Sequence, residues 1–307
     1  MKDKLTRREF LRRAGIIGAT TYGLGLAGDE LFGLADEAEA AGIATLSAAS
    51  GGSPEALVKK AVDALGGITK FVKKGNSVVI KPNLAWARPP EQAANTNPKV
   101  ISALIKLCKQ AGAGRITVLD HSCDNATAAF DVSGAKKAVA AAGTRLISAD
   151  KHFMYRSIKI PKGKILKADE CVKEVLDADV FINVPIAKVH SGTTVTASLK
   201  NLMGVTWNRQ AWHSSKDLEQ CIADYSTAVK PDLIILDAIR ILLTRGPKGP
   251  GETKDVGKIV AGTDPVAIDA YAAFLLGKDP RKVRHIAYAA AMGVGQIDLK
   301  KVSVRKV

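Results

Sequence analysis

At five places along this 307-residue chain, residues able to carry charge or move protons directly follow a short apolar run. Val79-Ile80 leads into Lys81-Pro82-Asn83, and Ile116-Thr117-Val118-Leu119 into Asp120-His121-Ser122. Phe181-Ile182-Asn183-Val184 is followed by Pro185, Lys188 and His190; Ile234-Ile235-Leu236 ends at Asp237; and Ile259-Val260 precedes Gly262-Thr263-Asp264-Pro265. An ammonium set beside a buried strand is costly unless it meets an anion or a carboxylate, so Lys81 demands a negative partner. The segment Thr196-Ala197-Ser198-Leu199-Lys200-Asn201 adds another cation, two hydroxyls and an amide close to Lys188 and His190. These types in this pattern suit the grip of a negatively charged small molecule. Lys81, Lys188 and Lys200 neutralise it, Asn83 and Asn201 orient it, and Thr196 and Asp264 complete the ligand-binding set. His190 or His121 moves a proton, because imidazole titrates near neutrality. His121, His190 and His213, with Asp237, are candidate metal ligands, although they lack an H-x-x-x-H spacing. His152 and His285 read as ordinary residues, one in a loop and one on a basic helix.

The elements that must position these residues alternate. Ser53-Pro54-Glu55 opens a helix running to about 73, with a capping residue and proline at the first helical position. A buried strand follows at 77–80, a helix from Pro98 to about 112, a strand at 115–119, a helix at 133–142 and a strand at 145–147. Residues 155–167 alternate around Pro161-Lys162-Gly163, which predicts a hairpin insertion. A helix at 169–177 feeds the strand at 180–184. Helices at 196–203 and 215–228 precede the strand at 233–236; after 258–260 come helices from Asp264 and over 281–292, and a strand at 302–304. Short β-branched runs between amphipathic helices mean βαβ units. The expected fold is an open, doubly wound, mainly parallel α/β sheet with helices on both faces and a small hairpin insertion. In such sheets ligands bind beyond the carboxyl ends of the strands, where the polar groups gather. With 196–203 helical, Thr193, Thr196 and Lys200 share a face, and the helix start offers free N–H groups as an oxyanion seat.

Composition narrows the class. At 47% hydrophobic residues the chain is not disordered, and beyond the N-terminal region no charge-free apolar stretch of about 18 residues exists. It carries 45 Lys and Arg against 30 Asp and Glu, a net charge of +15. Aromatic content of 5% is too low for a base-stacking nucleic-acid surface. An anionic small molecule is the expected partner, with peripheral contact to an anionic envelope surface as a second.

The N-terminus reads Thr6-Arg7-Arg8-Glu9-Phe10-Leu11-Arg12, then a glycine-rich apolar run from Ala14 to Gly28 and an A-x-A site at Ala38-Glu39-Ala40. These elements, in this order, resemble a twin-arginine export signal over residues 1–40, so the export machinery is an expected partner and the periplasm the expected destination. An uncleaved signal would leave the chain membrane-anchored. Residues 41–53 read as a linker, and 54–307 as a single α/β domain. The cysteines, Cys108, Cys123, Cys171 and Cys221, include no C-x-x-C pair, so no ferredoxin-type cluster run is encoded. Cys108, Cys171 and Cys221 fall in helical patterns and read as buried hydrophobes.

Four ordered motifs add a family resemblance. Val79-Ile80-Lys81-Pro82-Asn83, Asn183-Val184-Pro185 with Lys188 and His190, Leu199-Lys200-Asn201 with Gly204, and Ala261-Gly262-Thr263-Asp264-Pro265-Val266-Ala267-Ile268-Asp269 together resemble the uncharacterised DUF 362 family. The likeness covers roughly residues 55–290. Some members carry a ferredoxin-type cysteine run, from which this chain departs, and the resemblance implies no particular cofactor. Two functional readings stand side by side. One is an enzyme or redox-associated protein that holds an anionic ligand; the other is a non-catalytic periplasmic binding or cofactor-assembly protein with the same pocket.

Overall fold

Three of the helices begin in the same way, with a polar side chain capping the first turn just ahead of a proline. Ser53 Oγ accepts from Ala56 N at the start of α1 (Pro54–Asp63), and Asn97 Oδ1 accepts from Lys99 N at the start of α2 (Pro98–Gln110). Asp264 accepts from Val266 N and Ala267 N at the start of α9 (Pro265–Leu275). Proline already has the helical φ and lacks an N–H that would go unsatisfied there, so cap and proline together fix where each helix starts.

A computed structural model describes residues 43–215 and 217–307. The twin-arginine signal expected over 1–40 lies outside the described residues. The remaining described helices are α3 (Ala126–Val132), α4 (Ala135–Ala141), α5 (Lys173–Leu176), α6 (Ser198–Asn201), α7 (Arg209–Ser215), α8 (Leu218–Ser226) and α10 (Arg284–Ala291). The strands β1 (Thr45–Ser50), β2 (Ser77–Pro82), β3 (Arg115–Asp120), β4 (Arg145–Ser148), β7 (Val180–Val184), β10 (Leu233–Leu242), β11 (Thr253–Gly262) and β12 (Ser303–Lys306) form the main sheet in the order β12-β1-β11-β10-β7-β2-β3-β4. From β10 to β4 every pairing is parallel, while β11 runs antiparallel to both β10 and β1. The result is a mostly parallel, mixed α/β sheet.

Successive strand residues face opposite ways, and both faces are covered. Val79, Leu119, Phe181 and Leu236 belong to one hydrophobic core, whereas Val78, Ile80, Val118, Ile182 and Ile235 belong to a second. Strands apolar on both faces are what a sheet sandwiched between helices requires. A two-stranded antiparallel ribbon, β5 (Tyr155–Lys159) with β6 (Ala168–Val172), supplies the expected hairpin.

Several expectations need correction. The segment read as a linker contains β1, a buried strand held between β11 and β12, so the body starts at Ala44. The helix expected at 169–177 is strand β6 up to Val172 with one helical turn after it, and Cys171 is therefore a buried strand residue. After Pro185 the chain does not loop: Ile186–His190 (β8) pairs with Thr194–Thr196 (β9) and with β10. The helix expected at 196–203 is shortened to α6 and continues as a 3-10 turn over Leu202–Val205. Among the described residues no helix is long and apolar enough to cross a membrane, and the four cysteines form no disulfide.

Candidate functional site

Strand β2 is followed in sequence by β3 and β4 on one side, whereas β7 flanks it on the other. The strand order thus reverses at β2, and the crevice beyond the carboxyl ends of β2 and β7 is where an open α/β sheet accepts ligands. Lys81 of β2 lies opposite Asn183 of β7 in the strand register at that edge.

Lys81 is 1% exposed, and its ammonium meets the carboxylate closing the neighbouring strand: Nζ lies 2.8 Å from Asp120 Oδ1. It also donates to Pro82 O and to Asn201 Oδ1, both at 2.8 Å. Asn201 is the hub of the site. Its Oδ1 also accepts from Asn83 Nδ2 at 2.9 Å, while its Nδ2 donates to Asn183 Oδ1 at 2.7 Å and Lys81 O at 3.3 Å. Two acceptor and two donor positions are all used, which fixes which way the amide faces. Asn183 completes the chain of bonds through Nδ2 to Ser198 O and Oγ, each at 3.0 Å. Lys188, also 1% exposed, donates to Asn83 Oδ1 at 3.1 Å and to Ala94 O. One continuous network thus ties Lys188, Asn83, Asn201, Lys81 and Asp120 together. Asn83 and Asn201, expected to orient a ligand, use their amides to seat the lysines.

Lys200 differs from the other two. It is 8% exposed, and the contact of its Nζ is a thioether, Met203 Sδ at 3.2 Å. The hydroxyl of Thr196, buried four residues before it in the chain, has no hydrogen-bond partner. Burial drives the Lys200 ammonium down to about 8 and that of Lys188 to about 7, the latter helped by the repulsion of Lys200 and Lys81. Lys81 is also pushed down by burial, and Asp120 opposes the shift. Of the three buried amines, Lys81 is the one ion-paired with a carboxylate.

The histidines take distinct states. Tyr155 donates its single proton to Ala149 O at 2.6 Å, so its 3.1 Å contact with His121 Nδ1 is a bond donated by the ring nitrogen. This tautomer leaves Nε2 with its lone pair. Burial, and then Arg209, lower His121 to about 4, so it is a neutral base. Its ring stacks on Trp207 at 5.7 Å, and Trp207 also meets Tyr155 at 5.3 Å and His152 at 5.1 Å. His190 is the opposite tautomer: Nδ1 accepts from Gly192 N at 2.9 Å, leaving Nε2–H as a donor. Burial, followed by Lys200 and Lys188, lowers it to about 2.

Two expected features change character. The oxyanion seat at the start of α6 is filled by this chain's own Asp269, whose carboxylate accepts from Ser198 N at 2.5 Å and Leu199 N at 3.0 Å. Asp264 is not drawn to the lysine network; it caps α9 and accepts from Gln296 N at 2.8 Å. The metal candidates also separate. Asp237 is buried and accepts from Asn97 N and Ile239 N, His213 is exposed on α7, and no group of three His, Cys, Asp or Glu converges as a metal site among the described residues.

The sequence did not reveal Met203, Trp207, Tyr155 or the fully buried His285. His285 Nδ1 lies 2.5 Å from Glu219 Oε2, and its Nε2 lies 3.9 Å from Asp269 Oδ2. The signal available for the hub was Asn183, an amide inside the otherwise apolar run Val180–Val184, since a buried amide implies a hydrogen-bonded network.

Residues 78–274 match a family described as a domain of unknown function, DUF362. The thylakoid-associated protein of Synechocystis sp. is 27% identical over 256 residues, covering 79% of this chain and 76% of its own length. Among solved structures, the lactate racemase apoprotein of Thermoanaerobacterium thermosaccharolyticum aligns with a TM-score of 0.45 at 14% identity, over 72% of this chain and 54% of that one. A Thermotoga maritima protein aligns with a TM-score of 0.45 at 10% identity, over 74% and 60% of the two chains. The chain thus spans between half and two thirds of the length of these two solved proteins. The matched residues take in the buried network of Lys81, Asn83, Asp120, Asn183, Lys188 and Asn201, together with Lys200 and Asp269, and this chain belongs to the DUF362 family, a domain of unknown function.

Proposed function

We propose that this protein binds an anionic small molecule or cofactor at the carboxyl edge of β2, β7 and β8, and that it reaches the periplasm by the twin-arginine route. The observation that carries the binding reading is the charge imbalance: Lys81, Lys188 and Lys200 are buried, and Asp120 is the carboxylate ion-paired among them. The effective penalty for an unpaired buried ion is several kcal/mol. An entering anion recovers part of that penalty, whereas a neutral ligand does not. Two amines already depressed towards neutrality let the empty site shed a proton and the filled site regain it. The export reading rests on the N-terminal residues Arg7, Arg8 and Phe10 with the Ala38-Glu39-Ala40 site.

His121 supports a proton-transfer role beside the bound anion. Its peptide follows Asp120 directly, its Nε2 is unprotonated, and its ring is held by Tyr155 and Trp207.

The test is native purification followed by mass spectrometry of the retained small molecule, together with calorimetric titration of sulfate, phosphate and small carboxylates. A stoichiometric anion, or micromolar to millimolar binding that weakens with salt, supports the reading. A protein that retains nothing and binds none of these anions refutes it.

A further inference from the structure

Resting on that reading, we propose that the anion is seated at Lys200 and Thr196, with His190 as a third donor, while Lys81 and Lys188 form the positive floor that supports it; the ligand is a fully ionised oxyanion. The three lysines are not equivalent. Lys81 has Asp120, Asn201 Oδ1 and Pro82 O, and Lys188 has Asn83 Oδ1 and Ala94 O, so both ammoniums are oriented by oxygens of the protein. Lys200 meets a sulfur, a weak acceptor, and Thr196 Oγ1 is buried with no partner. Buried polar atoms in this state point to a missing acceptor.

The strand geometry brings Lys188, Thr196 and His190 to one face. Lys188 and Thr196 are direct cross-strand partners, and directly opposed residues project on the same side of a sheet. His190 lies two residues beyond Lys188 in β8, so it shares that face as well. Its Nδ1 is occupied by Gly192 N, which leaves Nε2–H to donate. Lys200 comes from α6, which directly follows β9 and packs against it, and its charge acts on His190, Lys188, His213 and His285.

The groups around Lys200 also decide the ligand's protonation. Glu219 is its nearby carboxylate, but Oε2 of Glu219 is already held by the Nδ1 and backbone N–H of His285. Cys123 acts in the same sense as Glu219, whereas Arg209 opposes it with its guanidinium turned onto the carbonyls of His121 and Ser122. The Lys200 ammonium and the Nε2–H of His190 offer donors, and the Thr196 hydroxyl can turn its proton the same way, so a group made of acceptors alone satisfies all three at once. A carboxylate or sulfate-like group fits; a protonated acid or an alcohol would have the Thr196 oxygen to accept its proton but would leave the buried Lys200 charge uncompensated.

Sulfate is the suitable probe because it carries no proton near neutrality, so any proton taken up on binding is taken by the protein. The full chain is titrated with sulfate at pH 8, at fixed chloride, in two buffers of different ionisation heat. The expected result is binding with net proton uptake, loss of affinity by at least about tenfold in Lys200→Met, and a smaller loss in Thr196→Val. Both variants are nearly isosteric with the native residue, and an unchanged or raised Tm shows that they fold. If Lys200→Met binds sulfate as the unmodified chain does, the seat is elsewhere and this proposal falls, while the anion reading stands. If the unmodified chain retains no anion and binds neither sulfate, phosphate nor small carboxylates, the anion reading itself falls.

Discussion

Gly204 lies against the Lys81–Asp120 ion pair so closely that a Cβ on it would sit 2.0 Å from Asp120 Oδ1 and 2.6 Å from Lys81 Nζ. The 3-10 turn over Leu202–Val205 therefore closes over the buried charges, with His121 N donating to Gly204 O at 3.2 Å. Gly204→Ala is expected to break this pair or displace the turn, at a cost of about 3 kcal/mol or more, the range seen when one partner of a buried pair is uncovered. Urea denaturation measures the loss. A change below about 1 kcal/mol would mean that the turn yields and that the contact is not a constraint.

The pair itself can be separated by a double-mutant cycle. Asp120→Asn leaves Lys81 buried with no carboxylate, and Lys81→Met leaves Asp120 with two backbone donors, Leu84 N and His121 N, but no cation. The first is expected to cost about 3–5 kcal/mol. The second costs less, because backbone N–H groups still hold the carboxylate. The double variant should be more stable than the sum of the single losses predicts, since it removes both charges together. Strict additivity would show that the 2.8 Å contact contributes no coupling.

Lys200 gives a pH dependence of opposite sense to the buried aspartates Asp237 and Asp269. Its folded value, about 8, lies below its ordinary 10.5, so between those values the unfolded chain binds the extra proton. Stability from this group is complete above about 10.5 and is lost as pH falls through 8. Asp237 and Asp269 are raised by burial, to about 6 and about 8 from 3.8, so their contribution falls as pH rises and is lost through those values, and comparing variant with unmodified chain cancels it. Lys200→Met should therefore exceed the unmodified chain by roughly 1–3 kcal/mol at pH 7, the difference shrinking towards zero by about pH 10.5. Thermal denaturation from pH 7 to 10.5 follows it, and a pH-independent difference refutes the assignment.

Much of this architecture was legible because apolar runs such as Val78–Ile80 and Val180–Val184 cannot be anything but buried, and a lysine directly after such a run must be explained. The carboxyl edge of the sheet, and Lys81 on it, followed from that alone. What remained hidden depends on tertiary partners. Strand β1 reads Thr-Leu-Ser-Ala-Ala-Ser, small residues with little strand preference, and it is a strand because β11 and β12 flank it. His285 sits among Arg281, Lys282 and Arg284, which suggests an exposed helix, yet the ring turns inward onto Glu219 and is fully buried. Asp264, five residues before Asp269, reads as part of the ligand-binding set, whereas Asp269 carries no ligand assignment. Their separate roles, one capping its own helix and one capping α6 from a distance, exist only in the folded chain.

Asp269 offers a test of that distant cap. Its two oxygens satisfy two backbone donors that α6 cannot satisfy itself. Asp269→Asn keeps the shape but can accept only through one oxygen, leaving Ser198 N or Leu199 N unpaired, at an expected cost of about 1–3 kcal/mol. Hydrogen exchange localises the effect: faster exchange at Ser198–Asn201, carrying Lys200 with it, is expected. Exchange unchanged there, with stability lost, would place the role of Asp269 in its contact with His285 instead.

The Gly-Pro loop after β10 is latched at its centre. Lys248 Nζ lies 2.8 Å from Asp124 Oδ1 and 5.2 Å from the centroid of the Trp86 ring, while Ser191 N donates to Gly246 O at 3.3 Å. Asp124 follows Cys123 and is lowered by its bonds to Lys248 and Ala87, despite its burial, so the latch is charged at neutral pH. Because Lys248 is 42% exposed, the pair contributes little to global stability, at most about 1 kcal/mol. Its effect is local. Lys248→Ala and Asp124→Asn should each leave the urea midpoint nearly unchanged, yet raise the rate of tryptic cutting after Arg245 several-fold, because local opening governs cleavage of a loop. The latch should also weaken as salt rises, so cutting of the unmodified chain should accelerate with ionic strength while that of the variants does not. Equal cutting rates in all three proteins would show that the backbone bond from Ser191, not the ion pair, holds the loop.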